Sequence, residues 1–289
     1  MYPARFEYHR AGSVEEAVAL LGRYEDDAKL LAGGHSLIPL LKLRFAQPGH
    51  LVDIRRIPGL AGIGEEDGAI VIGAATTHAM LQRSEPLRRR LPIVPEAASQ
   101  IGDAQVRNMG TIGGSLAHAD PAADLPALML AAEAELTAIG PGGSRTIAAS
   151  DFFIDLLTTA LTPTEVLTRI RIPVPTSGTG SAYEKYPHPA SRYALVGVAA
   201  MLTMSGGTIA RARVAVTGVG THPTRERAVE AALEGERATD AVLAAAAARA
   251  VEGVDLRSDV HGSAEWRRAL AIAHTRRALA RAVARAGDV

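Results

Sequence analysis

Residues Gln105–Asp124, QVRNMGTIGGSLAHADPAAD, constrain this chain more than any other stretch. They hold three glycines (Gly110, Gly113 and Gly114), two carboxylates, an Arg, a His, a Thr and a Ser. Little of this suits an apolar core. A glycine pair lets backbone N–H groups approach a ligand closely and adopts φ values other residues avoid. The hydroxyls of Thr111 and Ser115 add side-chain donors, and the combined chemistry suits a diphosphate. A second glycine segment, Leu31–Leu37 (LAGGHSL), follows the short apolar run Lys29–Ala32 and precedes a helical turn, LIPLLKLR. It therefore lies between a strand end and a helix start, where N–H groups are free to meet an anion. The two segments are expected to clamp one phosphate-bearing cofactor.

The common owners of such segments are absent. The chain has no G-x-x-x-x-G-K-[ST] and no G-x-G-x-x-G on a strand–helix turn, so neither a P-loop nor a Rossmann site is supported. It has no G-x-S-x-G nucleophile elbow. No side-chain constellation supplies hard chemistry, so a cofactor must. Zero cysteines exclude disulfides, thiolate zinc sites and any Cys-ligated iron–sulfur cluster in this chain. Lys+Arg and Asp+Glu balance at 31 each, which gives no support to nucleic-acid binding. No charged-then-apolar leader and no apolar run of ~18 residues is seen, so neither a signal peptide nor a membrane span is expected, and a cytoplasmic location is.

At 289 residues, about two domains are expected. Phe6–Tyr8, Lys29–Ala32, Leu51–Ile54 and Ala69–Ile72 read as strands. Ser13 and Glu16 form a capping box for a helix to Arg23. Thr77 caps a helix to Arg83, and another runs from Pro92 to Gln100. A helix starts at Pro121 and carries Asp124 in its first turn. Leu136–Ile139 and Ser144–Ile147 form a hairpin, and a short helix starts at Ser150 or Asp151. Val166–Ile172 is a strand. The run Pro173–Gly180, PVPTSGTG, is the best domain boundary. Beyond it Ala182–Tyr186, Ala194–Met204 and Thr208–Val216 read as antiparallel strands, the last two joined at Gly206-Gly207. Helices then cover Thr224–Leu233, Ala238–Val251 and Ala264–Ala286, an α+β pattern.

Individual residues keep two readings each. Asp124 is either a first-turn carboxylate favoured by the helix dipole or a ribose contact. His35 is either a loop histidine bonded to backbone or a flavin attachment point. His118 and Asp120 lie two apart in a loop, which is no evidence of acid–base geometry. The remaining histidines, His9 and His50 among them, are too scattered for spacing to argue a metal site. Arg267-Arg268 and Arg276-Arg277 read as a solvated helix face, with a subunit contact as the alternative.

LLAGGHSLIPLLKLR, GAATTH, QVRNMGTIGGSLAHADPAADLPALMLAAEAEL and the C-terminal WRRAL…TRRAL helix together resemble the FAD-binding medium subunits of molybdenum hydroxylases. The carbon-monoxide-dehydrogenase type is the nearest in pattern, and xanthine dehydrogenase carries a similar flavin domain. The resemblance spans essentially the whole chain. It implies an α+β chain with a vanillyl-alcohol-oxidase-like FAD-binding domain of two α/β subdomains over residues 1–175. A smaller C-terminal α+β domain over residues 180–289 would follow. It implies that Ala32, Gly33, Gly34, His35, Ser36 and Leu37, with Thr111, Gly114 and Ser115, hold the FAD diphosphate. Their donors would be the N–H groups of Gly33, Gly34, His35 and Gly114 and the hydroxyls of Ser36, Thr111 and Ser115. Asp124 matches the carboxylate that binds the adenosine ribose. Lys185 and Tyr193 match positions near the flavin, and Ile101 would pack on the cofactor. No residue is assigned to catalysis or to a metal. Arg192 stands where relatives often carry Asp. The implied role is electron transfer from the clusters of a small subunit with two [2Fe–2S] centres to an external acceptor. A large molybdenum-cofactor subunit would complete a dimer of heterotrimers. A stand-alone flavin oxidase, with FAD linked to His35, and a non-enzymatic nucleotide-binding module are the alternatives.

Overall fold

The computed structural model describes residues 2–286. The chain starts with alternating strands and helices: β1 (Glu7–Arg10), α1 (Val14–Tyr24), β2 (Ala28–Leu31), α2 (Leu37–Leu43) and β3 (His50–Asp53). The strands form a parallel sheet in the order β1–β3–β2. Ser13 caps α1 by accepting the Glu16 N–H. The Glu16 carboxylate reaches back to the Gly12 N–H at 2.7 Å, one residue earlier than a reciprocal capping box requires.

Next come β4 (Ile63–Glu66), β5 (Ala69–Gly73), α3 (His78–Arg83), α4 (Glu85–Arg90), α5 (Ile93–Ser99), α6 (Ala104–Met109), α7 (Ile112–His118) and α8 (Asp124–Ala131). After them come β6 (Glu135–Gly140), β7 (Gly143–Ala148), α9 (Ala149–Phe152), β8 (Phe153–Asp155), β9 (Thr158–Thr159) and β10 (Val166–Pro173). Five of these strands make an antiparallel sheet ordered β4–β5–β10–β6–β7. In β10, Ile170 and Ile172 are buried while Arg169 and Arg171 turn outward to Glu66 and Glu135. That is the period-two pattern of a strand with one face on a core.

The last part comprises β11 (Thr179–Pro187), β12 (Ala194–Ser205), β13 (Thr208–Thr217), β14 (Thr224–Arg225), α10 (Arg227–Leu233), α11 (Asp240–Ala247) and α12 (Ala264–Ala286). Its antiparallel sheet runs β11–β12–β13–β14. Gly206 and Gly207 both take positive φ (56° and 81°), as the tight turn between β12 and β13 demands. One face of this sheet packs on α8 and the other on α12. Helix α8 is therefore covered all round, and every residue from Asp124 to Ala131 is buried. A helix apolar on all sides belongs in such a position. The result is the expected mixed α+β fold.

Three local expectations change. Ala104–Met109 and Ile112–His118 are helices rather than parts of a loop. Thr224 and Arg225 form a short strand, so α10 starts only at Arg227. Arg267 does not lie on a solvated face. It is fully buried and donates to the Leu195 and Gly218 carbonyls and to both Asp259 oxygens, whereas Arg268, Arg276 and Arg277 are exposed. Helical spacing alone cannot show that a cation on the buried stripe has three acceptors waiting.

Candidate functional site

A cleft of about 640 Å³ runs between the first sheet, α7 and the turn ahead of β12. This is within the usual range for small-molecule sites, roughly 300–1,000 Å³. Ala32, Gly33, Gly34, His35, Ser36, Leu37, Ile101, Thr111, Gly114, Ser115, Asp124 and Tyr193 all line it. Lys185 does not.

The first glycine segment leaves β2 and enters α2. Among the described residues, no acceptor takes the backbone N–H of Gly33, Gly34, His35 or Ser36. Gly33, Gly34 and Ser36 are half-buried and His35 is exposed, so these N–H groups are open to the cleft. Four consecutive free donors on a cleft wall, ahead of a helix, therefore form a cradle for an anion. Gly34 holds φ +74°, and Gly33 lies so close to the second segment that a Cβ there would sit 2.3 Å from the Met109 carbonyl oxygen. The two segments thus touch each other as well as the cleft.

The second segment is the first turn of α7. Thr111 caps it, its Oγ1 accepting the Gly114 N–H at 3.1 Å. The Gly113 N–H donates to Ala74 at 2.8 Å, and a Cβ on Gly113 would lie 2.5 Å from the Ala74 Cβ. Gly114 is thus not a free donor; its N–H already serves the cap. What Gly114 contributes is open space, since a Cβ there would meet only Thr111 Oγ1 at 2.8 Å and Ala32 Cβ at 3.9 Å.

Asp124 begins α8 at the cleft wall with both oxygens engaged. Tyr183 donates its hydroxyl to Oδ1 at 2.6 Å and Lys185 its ammonium to Oδ2 at 2.9 Å. Lys185 also donates to the Gln100 carbonyl at 3.0 Å, and its side chain is only 1 % exposed. Burial pushes the Asp124 carboxyl up, and the Lys185 charge and the two hydrogen bonds pull against it. Burial and the adjacent Asp124 raise the Tyr183 phenol well above its ordinary value. A carboxylate has about four acceptor positions, and these two bonds use two of them. Lys185 sits behind the cleft as the partner of Asp124.

Other residues place the rest of the wall. Arg107 donates to the Ile101 and Gly102 carbonyls at 2.9 and 3.2 Å and so sets the turn that carries Ile101. Burial, with Asp120 adding to it, raises the Tyr193 phenol. Arg192, also on the wall, takes φ +60°. His35 is exposed, its Nε2 3.3 Å from the Gln105 carbonyl. His118 and Asp120 both line the cleft, and one Asp120 oxygen accepts the Ala122 N–H at 2.8 Å.

Sequence reasoning did not single out His78, which the cleft shows to be a wall residue. It is 5 % exposed, its Nδ1 has no partner, and its ring fills the space where Gly110 lacks a side chain. Burial first, then the charges of His35 and Arg107, lower its pKa from 6.5 to about 4, so the imidazole is neutral near pH 7. The signal available was GAATTH, Gly73–His78, a resemblance motif ahead of a helix that named no role for its histidine. Tyr183 was equally invisible, because its partner is distant in sequence.

Residues 4–175 match the family "FAD binding domain in molybdopterin dehydrogenase", and residues 181–282 match "CO dehydrogenase flavoprotein C-terminal domain". The chain is 46% identical to the carbon monoxide dehydrogenase medium chain of Hydrogenophaga pseudoflava over 285 residues, covering 99% of each. It is 42% identical to the 6-hydroxypseudooxynicotine dehydrogenase complex subunit alpha of Paenarthrobacter nicotinovorans, covering 99% of this chain and 97% of that one. A solved structure of the H. pseudoflava carbon monoxide dehydrogenase superposes with a TM-score of 0.96 at 48% identity, with 99% of each chain covered. Fold, cleft and these matches define an oxidoreductase component that carries a flavin. Within that class the chain belongs to the FAD-binding medium subunits of the molybdenum hydroxylases, and its cofactor is FAD. The donor set fits that group: free N–H groups and hydroxyls for a diphosphate beside the apolar side chains of Leu37, Leu40 and Ile101.

Proposed function

We propose that this chain is the electron-transfer subunit of its complex, taking electrons from [2Fe–2S] clusters of a small subunit and delivering them to an external acceptor. The free N–H groups of Gly33–Ser36 on the cleft wall carry the reading. Bound FAD supplies reversible one- and two-electron chemistry. The chain's own residues bind and position. Ala32–Leu37 would hold the diphosphate, with Thr111, Gly114 and Ser115 forming the facing wall. Asp124, held by Lys185 and Tyr183, would receive the ribose, and Ile101 and Tyr193 would pack on the ring system. The partners are a large molybdenum-cofactor subunit and the small iron–sulfur subunit, in a dimer of heterotrimers. The large subunit binds the substrate, and two relatives whose names carry different substrates fit that division. Residues 1–175 serve as the FAD-binding domain and 180–289 as the C-terminal domain.

The test is anaerobic mixing of the FAD-loaded chain with the dithionite-reduced, desalted small subunit in a stopped-flow spectrometer. Bleaching of the flavin absorbance in step with reoxidation of the clusters is expected. A flavin that stays oxidised in the assembled complex would remove the electron-transfer role while leaving FAD binding intact.

A further inference from the structure

We propose that Glu7, His9 and His50 form a site for one divalent transition-metal ion of borderline softness, for which Zn²⁺ is the probe. Glu7 and His9 are two apart on β1, so the period-two pleat turns them to one face. The parallel register sets Glu7 opposite His50 on β3. One atom from each side chain then converges. His9 Nε2 lies 2.9 Å from His50 Nδ1, and Glu7 Oε2 lies 3.9 and 3.6 Å from these two nitrogens. Metal–ligand bonds of ~2.1 Å in a tetrahedron put ligand atoms about 3.4 Å apart. Shifts of a few tenths of an ångström reach that geometry. Two imidazoles and one carboxylate, with a fourth position open, are a known donor set for zinc.

The surroundings orient the ligands. With Nδ1 of His50 toward the metal, its Nε2 faces Asp27 Oδ2 at 4.0 Å. The other Asp27 oxygen accepts the Gly49 N–H at 2.7 Å, which fixes that carboxylate. A carboxylate behind a ligating histidine sets its tautomer and basicity. The Tyr24 ring stacks on His50 with centroids 3.6 Å apart, and on His9 at 5.2 Å. The histidine side chains are 22 % and 16 % exposed and Glu7 72 %, so the pair is shielded on one side and an ion can enter from the other. None of the three residues lines the cofactor cleft, so the site is independent of the flavin. A bound ion would join the edge strand β1 to β3.

The test uses untagged, chelator-stripped full-length chain, with every variant matched for flavin content and circular dichroism. Zn²⁺ is titrated against a chromophoric chelator, and Co²⁺ spectra are recorded in parallel. One equivalent of Zn²⁺ per chain and visible Co²⁺ d–d bands are expected. His9→Ala and His50→Ala should each lose at least about tenfold in affinity, as should Asp27→Asn. Glu7→Gln, at an exposed position where folding is not at stake, should also weaken binding and shift the Co²⁺ bands. His261→Ala should change nothing, although His261 packs against His188 at 4.6 Å. Absence of stoichiometric binding would overturn the proposal and leave His9–His50 a plain hydrogen-bonded pair. Binding that survives both His9→Ala and Glu7→Gln would also overturn it.

Discussion

A methyl group on Gly33 would lie 2.3 Å from the Met109 carbonyl oxygen and 2.7 Å from the Gly110 Cα, so that glycine is required by contact between the two cofactor segments. Gly114 has no such neighbour beyond its own cap hydroxyl. The two positions should therefore separate in experiment. Gly33→Ala is expected to lower the stability of the flavin-free protein by about 1–3 kcal/mol, the usual cost of overpacking, as read by urea unfolding. Gly114→Val is expected to abolish flavin retention, measured as the flavin-to-protein absorbance ratio; normal occupancy would remove Gly114 from the cofactor wall. His78 sets a pH dependence. Its folded pKa of about 4 is below the ordinary 6.5, so the unfolded chain binds the extra proton between those values. Its contribution is complete above pH 6.5 and is lost as pH falls toward 4, by about 3 kcal/mol at most. Flavin-free His78→Gln should show a flatter stability profile across that window than the parent.

Element by element, legibility followed how local the cause was. Helix α12 was readable end to end because its apolar stripe repeats over many turns. The β6–β7 and β12–β13 hairpins were readable from their turn glycines. Helix α7 was not, because Gly113 and Gly114 each cost roughly 1 kcal/mol in a helix. What overrides that propensity is tertiary: Ala74 leaves room only for a glycine at 113, and Thr111 caps the first turn. Strand β4 went unseen because Ile63–Glu66 has one apolar residue in four, and it exists by pairing with β5. In the site, the glycine segments were legible from composition and order. Lys185 entered only through the resemblance, and its pairing with Asp124 was not legible, since it depends on residues 61 positions apart meeting side chain to side chain. Removing one member of a buried ion pair typically costs 3–5 kcal/mol. Lys185→Met is therefore expected to destabilise the chain by about that much in urea unfolding, and a loss under 1 kcal/mol would deny the clamp.

For the whole molecule, α8 is the shared wall of two packed units. The β11–β14 sheet lies on one side and the helices behind the cleft on the other. Arg281 and Arg285 of α12 converge on Glu96 of α5, and Glu96 also accepts the Tyr183 N–H at 3.2 Å. These ties make the cleft floor depend on the C-terminal sheet. Glu96→Ala, by cutting the tie from α12 to α5 while Arg281 keeps Glu184 and Arg285 keeps the Ser181 carbonyl, is expected to weaken FAD binding without touching the cleft, read as faster flavin loss on dilution.

The central claim is that the free N–H groups of Gly33–Ser36 hold a diphosphate. The direct measurement is fluorescence titration of the flavin-free chain with FMN and with riboflavin, which differ only by a phosphate. Two charge-assisted hydrogen bonds at ~1.5 kcal/mol each correspond to roughly 100-fold in affinity. FMN is expected to bind tighter than riboflavin by at least that factor. Equal affinities for the two would contradict the account.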